Sequence, residues 1–199
     1  MTITNRLVFS AQVKTLDLER RYIKQRRAAS AALYRLAYHP HCYTQGMSSL
    51  VRKAHREEIP KLIELGKKLY LVEKQFEPEL TFSAEEAIAL YQKQFQNPQA
   101  LFLVIEDQSQ IVGYLYAHCD AVEYLATAQP ECEIEVIYLE PTYRGHHLSE
   151  KLIQNCLTWA KTQNVFRVKA GIFAQNKASQ KAFAKQGFQP QHVTYTFEL

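Results

Sequence analysis

The chain has 199 residues, 47% apolar and 22% charged, with a net charge of +4 at neutral pH. That balance supports a packed globular domain and excludes a disordered chain. The apolar runs fall well short of the roughly 18 residues a membrane span requires.

The positive charge is uneven. Residues 1–48 hold eight Lys/Arg against two Asp/Glu, and the remainder holds sixteen against eighteen. The main body therefore gives no electrostatic reason to expect nucleic acid. Cys42, Cys119, Cys132 and Cys156 stand apart with no CxxC, which reads as neither a zinc signature nor a disulfide framework. A reduced, cytoplasmic setting is expected, and the first twenty residues do not read as a secretory signal.

Residues 1–48 read as a basic extension. Within it, Leu16 to His39 is rich in helix formers and ends at Pro40, before a linker, "HPHCYTQG". Three readings are open: an arm touching an anionic partner, a solvated extra helix, or an in-frame extension upstream of a start at Met47. The domain proper is expected over 49–199.

"SLVRKA" reads as a strand and "REEIPKLIELGKKLYLVEKQF" as a helix, with Ile59, Leu62, Ile63, Leu65 and Leu69 near helical spacing. "FSAEEAIALYQKQF" is a second helix, with Ser83 as N-cap and Glu86 as its capping-box partner. "ALFLVIED" and "QIVGYLYAHC" are strands joined by a hairpin at "EDQSQ". "CEIEVIYLE" is a further strand. "HLSEKLIQNCLTWAKTQN" is a helix with Leu148, Leu152, Cys156 and Trp159 along one side. "VFRVKAGIF" is a strand, "NKASQKAFAKQG" a helix stopped by Gly187, and "HVTYTFEL" a closing strand. Hairpin strands followed by βαβ units imply an α/β (α+β) domain with a mixed sheet covered by helices.

The turn "EPTYRGHHLSEKL" raises a chemical question. The first N–H groups of a helix lack partners inside it, and the helix dipole adds partial positive charge there. Arg144 adds a full charge and Gly145 allows close approach, so the turn suits a diphosphate. Adjacent His146 and His147 point in different directions, and no third ligand stands at a zinc spacing, so no metal is expected.

Two motifs make Ser49–Leu199 resemble the GCN5-related N-acetyltransferases, the GNAT superfamily. The pyrophosphate motif Q/R-x-x-G-x-G/A corresponds to Arg144, Gly145, His146, His147, Leu148 and Ser149. The C-terminal motif N-x-x-A-x-x-x-Y-x-x-x-G-F corresponds to Asn176, Ser179, Phe183, Gly187 and Phe188, with every spacing kept. His147 and Ser149 stand where the first motif has small residues. Phe183 replaces the Tyr that in this family often protonates the departing thiolate.

The resemblance implies a mostly antiparallel sheet of about six or seven strands with about four helices, and acetyl-CoA as co-substrate without a metal. It implies that the strand Cys132–Leu139 splays from its neighbour and that the Leu139 amide bonds the thioester oxygen. Ile137 and Tyr138 would line the pantetheine and acetyl group, Asn176 would contact the pantetheine, and Phe183 would pack beside the sulfur. Glu133 would deprotonate the acceptor amine through water. Alternation from Glu133 puts Glu135, Ile137 and Leu139 on one face, which makes Glu135 a reserve base. Glu73, Glu77, Glu79, Glu85, Glu86 and Glu131 form an expected acidic rim for a cationic amine on a small molecule or peptide. The expected activity is direct acetyl transfer to a primary amine by a monomer or homodimer. The rival is a non-catalytic acyl-CoA-binding module, favoured by His147, Ser149 and Phe183.

Overall fold

The computed structural model describes residues 49–120 and 130–197. The basic extension, with its expected helix, lies outside the described residues. Five strands are present among them: β1 (Leu50–Lys53), β2 (Ala100–Asp107), β3 (Gln110–Asp120), β4 (Glu131–Leu139) and β5 (Arg167–Ala170). Four helices accompany them: α1 (Ile59–Glu73), α2 (Ala84–Gln94), α3 (Leu148–Thr162) and α4 (Lys177–Lys185). The strands lie in the order β1-β2-β3-β4-β5, antiparallel throughout except for the parallel β4–β5 pair.

Local chemistry explains three of the boundaries. Pro60 sits in the first turn of α1, where its missing N–H costs nothing. Ser83 caps α2 by accepting from the Glu86 amide at 3.2 Å. Gln108 and Ser109 both adopt left-handed φ, 48° and 62°. Two such residues between the paired Asp107 and Gln110 make the tight turn that matches strand twist.

Strand alternation divides the core into two layers. Leu101, Leu103, Ile105, Leu115, Ala117, Ile134 and Leu139 pack with Leu148, Leu152, Ile153 and Cys156 of α3 and Phe183 of α4. Phe102, Val104, Tyr114, Tyr116 and Tyr138 pack on the other face with Ile59, Leu62, Ile63 and Leu65 of α1 and Tyr91 of α2. The expected apolar stripe of α1 is thus buried, with Leu69 at its margin. Burial of such side chains, at about 25 cal/mol per Å² of apolar surface, dominates the stabilisation.

Three expectations differ from the structure. The closing strand is absent among the described residues: 191–197 pair with no strand, and Val193, Tyr195 and Phe197 are 71%, 91% and 88% exposed. Its apolar alternation fits a strand, but no partner supplies the ladder, so the described sheet has five strands. Cys119 and Cys132 form a disulfide, because the antiparallel register sets them directly opposite each other. Glu131 is buried, not on an acidic rim, and its carboxylate meets Arg167 Nη2 at 2.5 Å.

Candidate active site

The site grows from two irregularities of β4. The first is a bulge. Tyr116 opposes Val136 while Ala117 opposes Ile134, so Glu135 is an extra residue in β4. A bulge resets alternation and re-aims the side chain it carries. Ile137 and Leu139 consequently belong to the α3 side, while Glu133 lies opposite His118. His118 in turn follows the Tyr116 ring at 5.9 Å on the α1/α2 side. The single face expected for Glu133, Glu135, Ile137 and Leu139 therefore does not exist.

The second irregularity is a splay. Pairing of β4 with β5 ends at Ile134–Ala170, although β4 continues to Leu139. The Glu140 amide donates to Val112 O at 2.9 Å. Alternation of hydrogen-bonded pairs then turns the N–H and C=O groups of Ile137 and Leu139 away from β3, towards the gap that β5 has left. These amides face the gap as donors that a ligand oxygen can meet. Gly113 permits the close β3–β4 approach behind them: a Cβ there would stand 2.7 Å from the Tyr138 carbonyl oxygen.

The splayed strand runs into the turn before α3. Gly145 takes φ 83°, and a Cβ added to it meets nothing within 4 Å, so the backbone is open to a ligand. His147 is the N-cap of α3 in a left-handed conformation, φ 60°, a region usually left to glycine. Its side chain makes no cap bond, and its Nδ1 lies 3.0 Å from Glu150 instead. The first-turn amides, including those of Leu148 and Ser149, are therefore left for an anion. Arg144 donates from Nε to Leu139 O at 3.0 Å and lies over the Tyr138 ring, 5.6 Å from its centroid. His146 is exposed beside it. The turn fits a diphosphate by charge, donors and room.

Asn176 caps α4, its Oδ1 accepting from the Ser179 amide at 3.1 Å. Phe183 is buried at 4% exposure and meets Phe188 edge-on. Tyr138 lies on the α1/α2 face, opposite Ile137 and Leu139, with its hydroxyl donating to Glu140 at 3.3 Å. Burial holds that hydroxyl above the ordinary phenol range. Tyr143 donates to Asp107 at 3.0 Å, tying the turn to the end of β2.

The two carboxylates differ in their partners. Glu133 Oε2 lies 3.0 Å from Lys169 Nζ of β5, directly across the register. Glu135 Oε1 lies 2.8 Å from His118 Nε2. The sequence reading missed His118 and Lys169; His118 continues the alternation of Tyr114 and Tyr116, but only the strand register brings it to Glu135. Among the described residues no group of three or more His, Cys, Asp or Glu is placed to hold a metal ion. Nor is any helix among them long and apolar enough to cross a membrane.

Comparison with known proteins agrees with this geometry. Residues 67–188 match the family model described as the acetyltransferase (GNAT) family. A Bacillus subtilis (strain 168) protein assigned as a ribosomal protein bS18 alanine N-acetyltransferase is 28% identical over 102 residues, 51% of this chain. The match spans 62% of that relative's length. Among solved structures, aminoglycoside N-acetyltransferase AAC(6')-Iy in complex with CoA superposes with a TM-score of 0.63 at 15% identity, over 79% of this chain and 99% of the other. A Clostridium acetobutylicum acetyltransferase solved with acetyl-CoA also gives 0.63, at 20% identity, over 75% and 96%. At such identities these two likenesses speak for the fold. The family match covers β2 to α4, both irregularities of β4 and the α3 turn included: the chain belongs to the GNAT acetyltransferase family.

Proposed function

We propose that the protein is an acetyl-CoA-dependent N-acetyltransferase that acts on a primary amine by direct attack. The observation that carries this reading is the splay of β4 beyond Ile134, which opens the Ile137 and Leu139 amides and leads into the α3 turn with Arg144. In this reading the α3 turn holds the pyrophosphate of acetyl-CoA, Asn176 and Ser179 lie along the pantetheine arm, and Phe183 supports the sulfur end from the core. The acceptor is a small-molecule or peptide amine, and the chain works as a monomer or homodimer. Residues 1–48 are assigned to a basic extension and residues 49–199 to the acetyltransferase domain.

The amine nitrogen attacks the thioester carbonyl carbon, and the developing oxyanion is met by fixed amides that need no reorganisation. The C–S bond then breaks with its electron pair on sulfur. A thiol with a pKa near 8.5 leaves tolerably as thiolate, so Phe183 in place of a tyrosine does not block the step. Tyr138 and Tyr143 already donate to Glu140 and Asp107, so water is the better proton source for the thiolate.

Thiol release from acetyl-CoA, followed with a panel of small amines, aminoglycosides and peptides, tests the proposal. Amine-dependent release supports it. Tight binding of acetyl-CoA with no release from any amine selects the non-catalytic module.

A further inference from the structure

We propose that Glu135, positioned by His118 across the β4 bulge, takes the proton from the acceptor amine. This rests on the N-acetyltransferase reading above and assigns a role to His118, which the family motifs leave without one.

Four observations converge. Glu135 is the extra residue of the bulge, so its side chain is released from the alternation that binds its neighbours to a packed face. His118 Nε2 reaches Glu135 Oε1 at 2.8 Å; with the hydrogen on Nε2, the imidazole donates to one carboxylate oxygen and leaves the other for a substrate. Glu133, the neighbour on the same strand, is engaged by the Lys169 ammonium at 3.0 Å. A cationic substrate would have to displace that charge. Glu135 is also the more exposed side chain, 42% against 30% for Glu133.

The surroundings suit this role. Among the described residues, the groups facing the pair are Tyr116 on β3, Tyr91 on α2, Glu133 on β4, and Lys169 on β5 through Glu133. The Tyr91 hydroxyl meets that of Tyr114 at 3.1 Å, and burial pushes it up to about 12. It stays neutral through the working range and does not compete for the proton. Both Glu133 and Glu135 bring negative charge towards an incoming ammonium, and the Lys169 ammonium already offsets that of Glu133.

The ammonium gives one proton to the free oxygen of Glu135, directly or through one water, which leaves a neutral amine and a carboxylic acid. The amine lone pair forms the C–N bond, and the C–S bond breaks with its pair on sulfur. The second N–H proton passes to the thiolate through water, giving amide and thiol. Glu135 then returns its proton to solvent.

The test uses the full chain with acetyl-CoA and three amine probes: spermidine, kanamycin and a peptide with a free N-terminal alanine. On the accepted probe, Glu135→Gln should lower kcat/KM at pH 7 by about a hundredfold or more. KM for acetyl-CoA should stay unchanged, and the deficit should shrink as pH rises towards the amine's own pKa. His118→Ala should cost roughly ten- to hundredfold by misplacing the carboxylate. His118→Gln, which retains an N–H donor, should recover most of that loss, a rescue that mere core packing would not produce. Glu133→Gln should lose at least about tenfold less than Glu135→Gln. An active enzyme in which Glu135→Gln or His118→Ala matches wild type overturns this assignment alone, as does one in which Glu133→Gln is the crippled variant. A wild-type protein that binds acetyl-CoA and releases thiol with none of the probes overturns the acetyltransferase reading and this assignment together.

Discussion

Gly113→Ala perturbs the point where β3 presses β4 into its splayed course. A Cβ at residue 113 meets Leu139 Cδ2 and, at 2.7 Å, the Tyr138 carbonyl oxygen. The leucine methyl can swing aside; the carbonyl is backbone. Ordinary contact begins at 3.4 Å, so β4 must retreat by about 0.7 Å. Forcing such a shift in a packed interior costs about 1–3 kcal/mol. Loss of glycine's freedom in the unfolded chain returns about 0.4–1 kcal/mol. Taken at the midpoints of these ranges, the net destabilisation is about 1.3 kcal/mol, or a fall of about 3–5 °C in Tm for a chain of this size. Acetyl-CoA affinity should fall with it, because the Leu139 amide moves. Gly171→Ala is the control: nothing lies within 4 Å of its Cβ position, so its Tm should hold or rise slightly. Thermal unfolding followed by circular dichroism, at one scan rate, reads both. A Gly113→Ala protein that melts with wild type and binds acetyl-CoA equally well refutes the argument that this contact sets the cleft.

Three further outcomes follow from the same structure. Reducing the Cys119–Cys132 bridge, whose partners are 13 residues apart, should cost about 2–4 kcal/mol and lower Tm by roughly 4–16 °C; melting curves with and without reductant that coincide would count against the bridge. The Glu58 carboxyl is held below its ordinary value of 4.5, chiefly by the hydrogen bond from Arg52. A depressed folded pKa adds stability above the unfolded value and loses it as pH falls through the folded one. Urea unfolding of wild type and Arg52→Gln should therefore differ at pH 7 and converge as pH drops below 4.5; a gap that stays constant with pH would mean Arg52 acts only by packing. A chain begun at Met47 should fold and bind acetyl-CoA as the full chain does, and insolubility or lost binding would make residues 1–46 part of the domain.

The element order was legible because each helix and strand carries its own periodicity, from the apolar stripe of α1 to the alternation of β2. The open turn before α3 was legible too, since its Arg-Gly pair and helix start are local in sequence. What depends on register was not. A one-residue bulge at Glu135 shows no composition signal, yet it overturns the alternation argument for four side chains. The Cys119–Cys132 bridge and the His118–Glu135 and Glu133–Lys169 pairs all join neighbours on different strands, which only sheet pairing reveals. The tail from 191 to 197 shows the reverse error: its alternation is that of a strand, but a strand needs a partner ladder as well as a pattern.

Calorimetric titration of acetyl-CoA into the wild-type chain and into Arg144→Ala tells whether the α3 turn holds the pyrophosphate. Arg144 bridges the end of splayed β4 and the open turn of α3, through its bond to Leu139 O. A charge-assisted contact to phosphate is worth about 1.5–3 kcal/mol, and each 1.4 kcal/mol is tenfold in affinity. Wild type should bind, and Arg144→Ala should bind roughly ten- to hundredfold more weakly while still unfolding cooperatively, its Tm lowered by no more than about 6 °C by the lost bond to Leu139 O. No binding by wild type, or equal binding by the two, would contradict the assignment of this turn as the acetyl-CoA site.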